Sequence, residues 1–261
     1  MFPTLQLGPV SIQAPGLFWL VGLWLGLTLA EKQAARHQSE ASHLYNLVFY
    51  GLMAAIIGAR LSYAAQYLDS FLANPLSLLS LNPALLDPAG GLLVGLLVAF
   101  VYGNRKQLAL WSTLDALTPL LAVMAVAMGL SHLAAGDAFG RPTTLPWGIE
   151  LWGARRHPTQ IYQIILALLI LWQVLRPWWR AVSAVTGRVF LQFTALTAAA
   201  TILNETLRGD SLLLANGLRV TQLIAFVILA GSLWMVSKRS PGKAQSKKAT
   251  FDSKTGETSD E

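Results

Sequence analysis

The sequence predicts an all-α, polytopic membrane protein with about seven transmembrane helices. Three observations lead there. Of the 261 residues, 54% are hydrophobic and only 12% are charged, whereas soluble domains carry about 25% charged residues. Mean hydropathy is +0.51. Apolar runs recur along the chain, several of them near the length of about 20 residues that a helix needs to cross hydrocarbon.

The runs fall at 10–30, 44–68, 89–103, 107–135, 160–175, 187–208 and 217–236. The third is short, and its Gly90, Gly91 and Gly95 suit close packing or a re-entrant start. The fourth is long enough to span with tilt. The fifth is short unless its helix begins inside His157-Pro158, where proline suits the first turn. In the sixth, Glu205 and Arg208 are spaced as an (i, i+3) pair. Residues 1–237 read as one membrane domain. Residues 238–261 are rich in Ser, Lys, Thr and Gly, cannot bury a core, and read as a disordered tail.

Counted in alternate loops, thirteen Lys and Arg residues fall on one side and five on the other, with Arg60 inside a span. That bias predicts a cytoplasmic C-terminus and an N-terminus outside. It also accounts for much of the net charge of +6 without a nucleic-acid partner. The first run has no basic region before it and no small-residue cleavage site after it, so no cleavable signal is expected. There is no cysteine, which excludes disulfides, thiolate metal sites and a cysteine nucleophile. No metal or organic cofactor is expected.

Polar groups gather between Asp115 and Tyr162. Charges near hydrocarbon are costly and are functional candidates by default. Arg60, with Tyr63 and Tyr67 beyond it, must pair, snorkel or face a wet cavity. Asp115 is a possible counter-ion, and a lipid phosphate is the competing partner. Gly136-Asp137-Ala-Phe-Gly140-Arg141-Pro142 reads as a turn-rich exit from the fourth run. Arg155 and Arg156 precede His157-Pro158-Thr-Gln-Ile-Tyr162, and their guanidinium forks suit phosphate oxygens.

Taken together, these segments resemble the prolipoprotein diacylglyceryl transferase family over about residues 10–236. Gly58-Ala-Arg60-Leu-Ser-Tyr63, with Asn74-Pro75, is similar to the family's Gly-Ala-Arg-Leu-Gly-Tyr segment and the Asp/Asn-Pro that follows. Gly90-Gly91-Leu-Leu-Val-Gly95 is similar to the end of its His-Gly-Gly element. Asp115 and Pro119 fit its Asp-x-x-x-Pro feature, and the gapless alignment from there ends in Gly136–Pro142. Arg156–Tyr162 nearly reproduces Arg-His-Pro-Ser-Gln-Leu-Tyr. Among the departures from the pattern, three positions have lost the family's ionisable group: the family's His is Ala89, and two of its Arg positions hold Gly129 and Thr201. Its first Asn falls on His132, and its Glu on Asp137.

The resemblance implies transfer of a diacylglyceryl group from phosphatidylglycerol to the cysteine thiol of a prolipoprotein, at the bacterial plasma membrane. The partners are then that lipid, the signal-peptide region of the prolipoprotein and the membrane. His132, Asp137 and Glu205 are the expected catalytic residues. Arg60, Tyr63, Gly90, Gly91, Gly140, Arg141, Arg156, His157, Tyr162 and Arg208 are the expected phospholipid contacts. The three neutral replacements keep a second reading open: a member that binds anionic phospholipid or lipoprotein precursors without the reaction. A small-molecule transporter or channel subunit is the third, and it would need a polar path through the midplane.

Overall fold

The computed structural model describes residues 4–7, 10–34, 41–80, 82–176, 185–214 and 217–239. Each of the seven apolar runs becomes a helix. They are α1 (Ala14–Ala34), α2 (Ala41–Gln66), α4 (Pro88–Arg105), α5 (Leu110–Ala135), α6 (Thr159–Leu175), α7 (Arg188–Leu207) and α8 (Val220–Lys238). A short α3 (Leu68–Ala73) and two 3-10 turns, Pro75–Leu79 and Pro83–Leu85, lie between α2 and α4. Helices α1, α2, α4, α5 and α8 are long and apolar enough to cross a membrane, and α6 is a shorter apolar helix. The protein is thus a multi-pass helical membrane protein. Helix α7 carries Thr194, Thr197, Thr201, Asn204 and Glu205, a polar load that separates it from the other long helices.

The all-α expectation needs one amendment. Two small antiparallel sheets are present among the described residues: β1 (Thr4–Leu7) with β2 (Val10–Gln13), and β3 (Ile149–Leu151) with β4 (Ala154–Arg156). The first apolar run therefore opens as a strand, and its helix starts at Ala14. Arg36, Arg180 and nearly all of the predicted tail, 240–261, lie outside the described residues.

The chain forms two compact units, one from 31–116 and the other from 1–30 with 117 onward. Within the first, α2 and α4 meet through small residues. A Cβ on Gly91 would lie 2.8 Å from the Ala55 carbonyl oxygen and 2.8 Å from the Ala59 methyl, and one on Gly95 would crowd Gly51 and Ala55 in the same way. Stripes of small residues let membrane helices approach closely enough for extensive van der Waals contact. Asp87 caps α4 by accepting from the backbone of Ala89 and Gly90. It also accepts from the Ser62 hydroxyl at 2.6 Å and from Gln66 at 3.1 Å, tying the cap to the end of α2.

In the second unit, Gly22 and Gly26 of α1 lie where any side chain would strike Ala127 and Leu120 of α5. Ala122, Ile170, Val174 and Phe193 form a buried cluster joining α5, α6 and α7. Pro119 lies inside α5 and cannot donate to the carbonyl of Asp115, one turn earlier.

Two outcomes follow from the α2–α4 contact. Gly91→Val overpacks it and costs on the order of 1–3 kcal/mol, read as a lower Tm in detergent micelles. The Ser62 hydroxyl, followed by the Gly90 N–H, holds the Asp87 carboxyl below its usual range, with burial opposing and the Ala89 N–H and Gln66 assisting. A depressed carboxylate stabilises the fold above its unfolded pKa of about 3.9 and loses that contribution as pH falls through the native value. Asp87→Asn should therefore melt below wild type at pH 7, and the gap should narrow as pH is taken below about 4. An equal gap at every pH would show that the charge plays no part.

Candidate active site

The site begins where α5 ends. The N–H groups of Gly136 and Asp137 both return to the carbonyl of His132, at 2.8 and 3.2 Å. Gly136 (φ 83°) and Ala138 (φ 53°) are left-handed, which turns the chain sharply out of the helix. Residues 139–143 then run between two neighbours. On one side the Arg141 N–H donates to the Leu207 carbonyl at 2.8 Å, and the Gly209 N–H donates to the Phe139 carbonyl at 2.8 Å. On the other side the His157 N–H donates to the Arg141 carbonyl at 3.0 Å, and the Thr143 N–H donates to the Arg155 carbonyl at 2.9 Å.

Gly140 sits at this crossing, where a Cβ would strike the backbone and side chain of His157. The buried Thr159 and Gln160 fasten α6 to the same turn, by donating to the Ala138 carbonyl at 2.6 Å and the Asp137 carbonyl at 2.8 Å. Arg156 donates to the carbonyls of Leu151 and Gly140, at 3.0 and 3.4 Å, and lies 4.9 Å over the Phe139 ring. It braces the loop. Tyr162 accepts from the Trp147 indole at 2.8 Å, and its ring lies 6.4 Å from that of His157. His157 Nδ1 is buried without a hydrogen-bond partner among the described residues.

Beside this crossing, α5, α6, α7 and α8 enclose a cavity of about 320 Å³. His132, Gln163, Thr201, Asn204, Glu205 and Arg208 supply much of its polar lining. His132 Nδ1 and Gln163 Oε1 are 3.1 Å apart. Glu205 is 2% exposed. One of its carboxylate oxygens lies 3.6 Å from Arg208, and the other has no partner among the described residues. Asn204 Oδ1 and the Thr197 hydroxyl are likewise buried and unpartnered. Unmet buried acceptors cost about 1–3 kcal/mol each, so this wall is suited to a ligand that carries hydrogen-bond donors. The Thr201 hydroxyl is already engaged, 2.9 Å from the Thr197 carbonyl.

The mouth of α7 is cationic. Arg208 reaches from Glu205 to Asp210, at 3.6 and 2.6 Å. Arg219, 8% exposed, donates to the Arg208 carbonyl at 2.8 Å and to the Ser211 hydroxyl at 3.1 Å. Burial first, then the charges of Arg141 and Arg208, hold the Arg219 pKa below the usual arginine value, while Glu205 pulls the other way. Three guanidiniums thus share one neighbourhood with one buried carboxylate, an arrangement that favours an anion.

The structure brings His132, Glu205 and Arg208 into one wall, with Gly140, Arg141, Arg156, His157 and Tyr162 in or beside the crossing. Asp137 does not join them: its side chain is exposed and is not part of the cavity wall. The other predicted residues belong to the 31–116 unit. There, Arg60 is 9% exposed and donates through Nε to the Leu78 carbonyl (3.1 Å) and through Nη1 to those of Asn82 (3.4 Å) and Leu85 (2.9 Å). These carbonyls take the place of the suggested Asp115 counter-ion, and Nη2 makes no hydrogen bond among the described residues. Arg60 also lines a cavity of about 440 Å³ with Ile57, Leu61 and Leu79. Tyr63 stacks on Tyr67 and Phe71, at 4.7 and 6.2 Å. The Gly90 Cα faces Ser62 of α2 with no room for a side chain, and Gly91 packs on Ala55 and Ala59.

The family profile described as prolipoprotein diacylglyceryl transferase matches residues 3–237. The chain belongs to this family. It is 29% identical over 253 residues to the phosphatidylglycerol–prolipoprotein diacylglyceryl transferase of Bordetella parapertussis, covering 92% of this chain and 96% of that one. The protein of that name from Solidesulfovibrio magneticus is 28% identical over 91% and 94% of the two chains, and that from Coxiella burnetii is 31% identical over 67% and 68%.

Within the family pattern, the geometry gives Gly129 a definite role. A Cβ there would lie 2.8 Å from Ile164 Cγ1 on α6. Bareness at position 129 lets α6 approach α5, and His132, three residues on, meets Gln163 beside Ile164. Sequence reasoning missed Gln163, Asn204 and Arg219. The usable signals were a polar side chain next to Tyr162, another next to Glu205, and an arginine just before an apolar run. None of them shows which helices adjoin.

Restoring the family's arginine tests this packing. Gly129→Arg should lower Tm by an amount equivalent to about 1–3 kcal/mol, and Ile164→Ala added to it should recover part of the loss. A Gly129→Arg protein as stable as wild type would contradict the close approach. Arg219→Ala removes two buried hydrogen bonds and should cost on the order of 2–3 kcal/mol. Thermal melting against Arg219→Lys measures it.

Proposed function

We propose that this chain transfers the diacylglyceryl group of phosphatidylglycerol to the cysteine thiol of a prolipoprotein, at the bacterial plasma membrane. The observation that carries this reading is the shared cavity wall of His132, Glu205 and Arg208, in a chain that belongs to the transferase family. The lipid's glycerol carbon loses its bond to the phosphate oxygen and gains a bond to sulfur. The thiol proton passes to His132 Nε2, and glycerol phosphate leaves.

A thiol with an unperturbed pKa of about 8.5 needs such a base near neutral pH. The leaving phosphate gathers charge, and preorganised cations stabilise charge that develops in the transition state. Arg208 fills that role, with Arg141 and Arg219 adding to the local field. The orphan oxygens of Glu205 and Asn204 suit the hydroxyls of the glycerol headgroup. Gly140, Arg156, His157 and Tyr162 act by holding the crossing. Arg60 has only Nη2 left to offer a phosphate, and Tyr63, Gly90 and Gly91 act through packing. Asp137 is exposed and takes no part in the cavity wall.

Seven helices and the Lys and Arg bias support seven spans over 1–237, with the N-terminus outside and the tail from 238 in the cytoplasm. Thr201, Gly129 and Ala89 favour a second reading, a member that binds anionic phospholipid or prolipoprotein and does not react.

The test is thioether formation on a cysteine-bearing lipobox peptide, using purified protein in phosphatidylglycerol vesicles. Transfer is expected, with glycerol phosphate released in equal amount. His132→Ala should lower kcat by about 10²–10⁴-fold, the usual contribution of a positioned acid or base. An inert wild type that still binds the lipid would establish the second reading.

A further inference from the structure

Gln163 carries no role in the mechanism above, yet its amide oxygen lies 3.1 Å from His132 Nδ1. A carboxamide oxygen can only accept, so this contact needs a proton on Nδ1. In a neutral imidazole the other nitrogen is then bare, and the hydrogen bond made by one ring nitrogen sets the state of the other. His132 Nε2 has no protein partner among the described residues, and the ring lines the cavity that holds Glu205 and Arg208. We propose that Gln163 is a positioning residue for His132: its side-chain oxygen accepts the Nδ1 proton and leaves the Nε2 lone pair facing the cavity. This rests on the reading of His132 as the base that takes the thiol proton.

The packing that makes the contact possible is the bare Gly129, since a side chain there would displace Ile164 and carry its neighbour Gln163 outward. The absence of a side chain at position 129 and the Gln163–His132 contact are then parts of one packing arrangement.

The experiment uses full-length protein, with ¹⁵N-labelled histidine, in phosphatidylglycerol bilayers at neutral pH. Solid-state NMR reports which ring nitrogen carries the proton, and the signal missing in His132→Asn identifies His132 among the four histidines. The expected result is a protonated Nδ1 and a bare Nε2 in wild type. Gln163→Leu, similar in shape but unable to accept, should lose that preference. It should also lower kcat by up to the ~10²-fold that marks the lower end of what a positioned base supplies, with KM for the lipid unchanged. Gln163→Glu, which can still accept, should restore both.

A bare Nδ1 in wild type, or an unaltered tautomer in Gln163→Leu, overturns the proposal. So does a switched tautomer with unchanged kcat. Inactive wild type with Nδ1 protonated and responsive to Gln163→Leu separates the two ideas: the tautomer assignment stands, and the transfer reading fails.

Discussion

The site depends on the double-sided pairing of residues 139–143. Backbone leaving a helix near hydrocarbon must find partners for its N–H and C=O groups, because unmet groups there cost several kcal/mol. The chain meets that requirement with strand-like bonds to 155–157 on one side and to 207–209 on the other. One crossing thereby fixes the end of α5, the start of α6 and the end of α7. Any side chain at Gly140 would part the strands, which explains a glycine where the backbone itself needs no positive φ.

Around that crossing the arginines divide by task. Arg156 and Arg219 donate to main-chain carbonyls and a serine hydroxyl, and they hold the corner. Arg208 faces the buried carboxylate of Glu205. A buried carboxylate needs a cation close by, and Glu205 keeps one oxygen unclaimed even so. Arg60, in the other unit, is another brace: its bonds to three carbonyls tie the 74–87 segment to α2. Arg60, Arg156 and Arg219 therefore serve architecture first.

Much of this was legible beforehand. Each of the seven runs became a helix, five of them long and apolar enough to cross a membrane among the described residues, because period and length of apolar sequence are set by helix rise and bilayer thickness. The Glu205–Arg208 pair was legible because it is local to one helix. His132 stood out as an ionisable group at the end of an apolar run. The strands at 10–13 and 149–156 were missed, since the first hides in an apolar run and the second owes its form to the crossing. Asp137 was grouped with the catalytic residues because the family's Glu falls on it, and in the structure, between the left-handed Gly136 and Ala138, it is exposed.

The sequence by itself determined that the protein is a multi-pass helical membrane protein of the diacylglyceryl transferase family, and which charged residues stand near its helix ends. Hydrocarbon enforces the apolar helices and the placement of charge residue by residue, and the family is carried by short local motifs, so both survive without knowledge of neighbours. Only the tertiary structure decided what each polar group touches. Gln163 and His132 are thirty-one positions apart, and their contact exists because Gly129 leaves no side chain between α5 and α6. Contacts of that kind depend on which helix faces meet, which no single helix encodes.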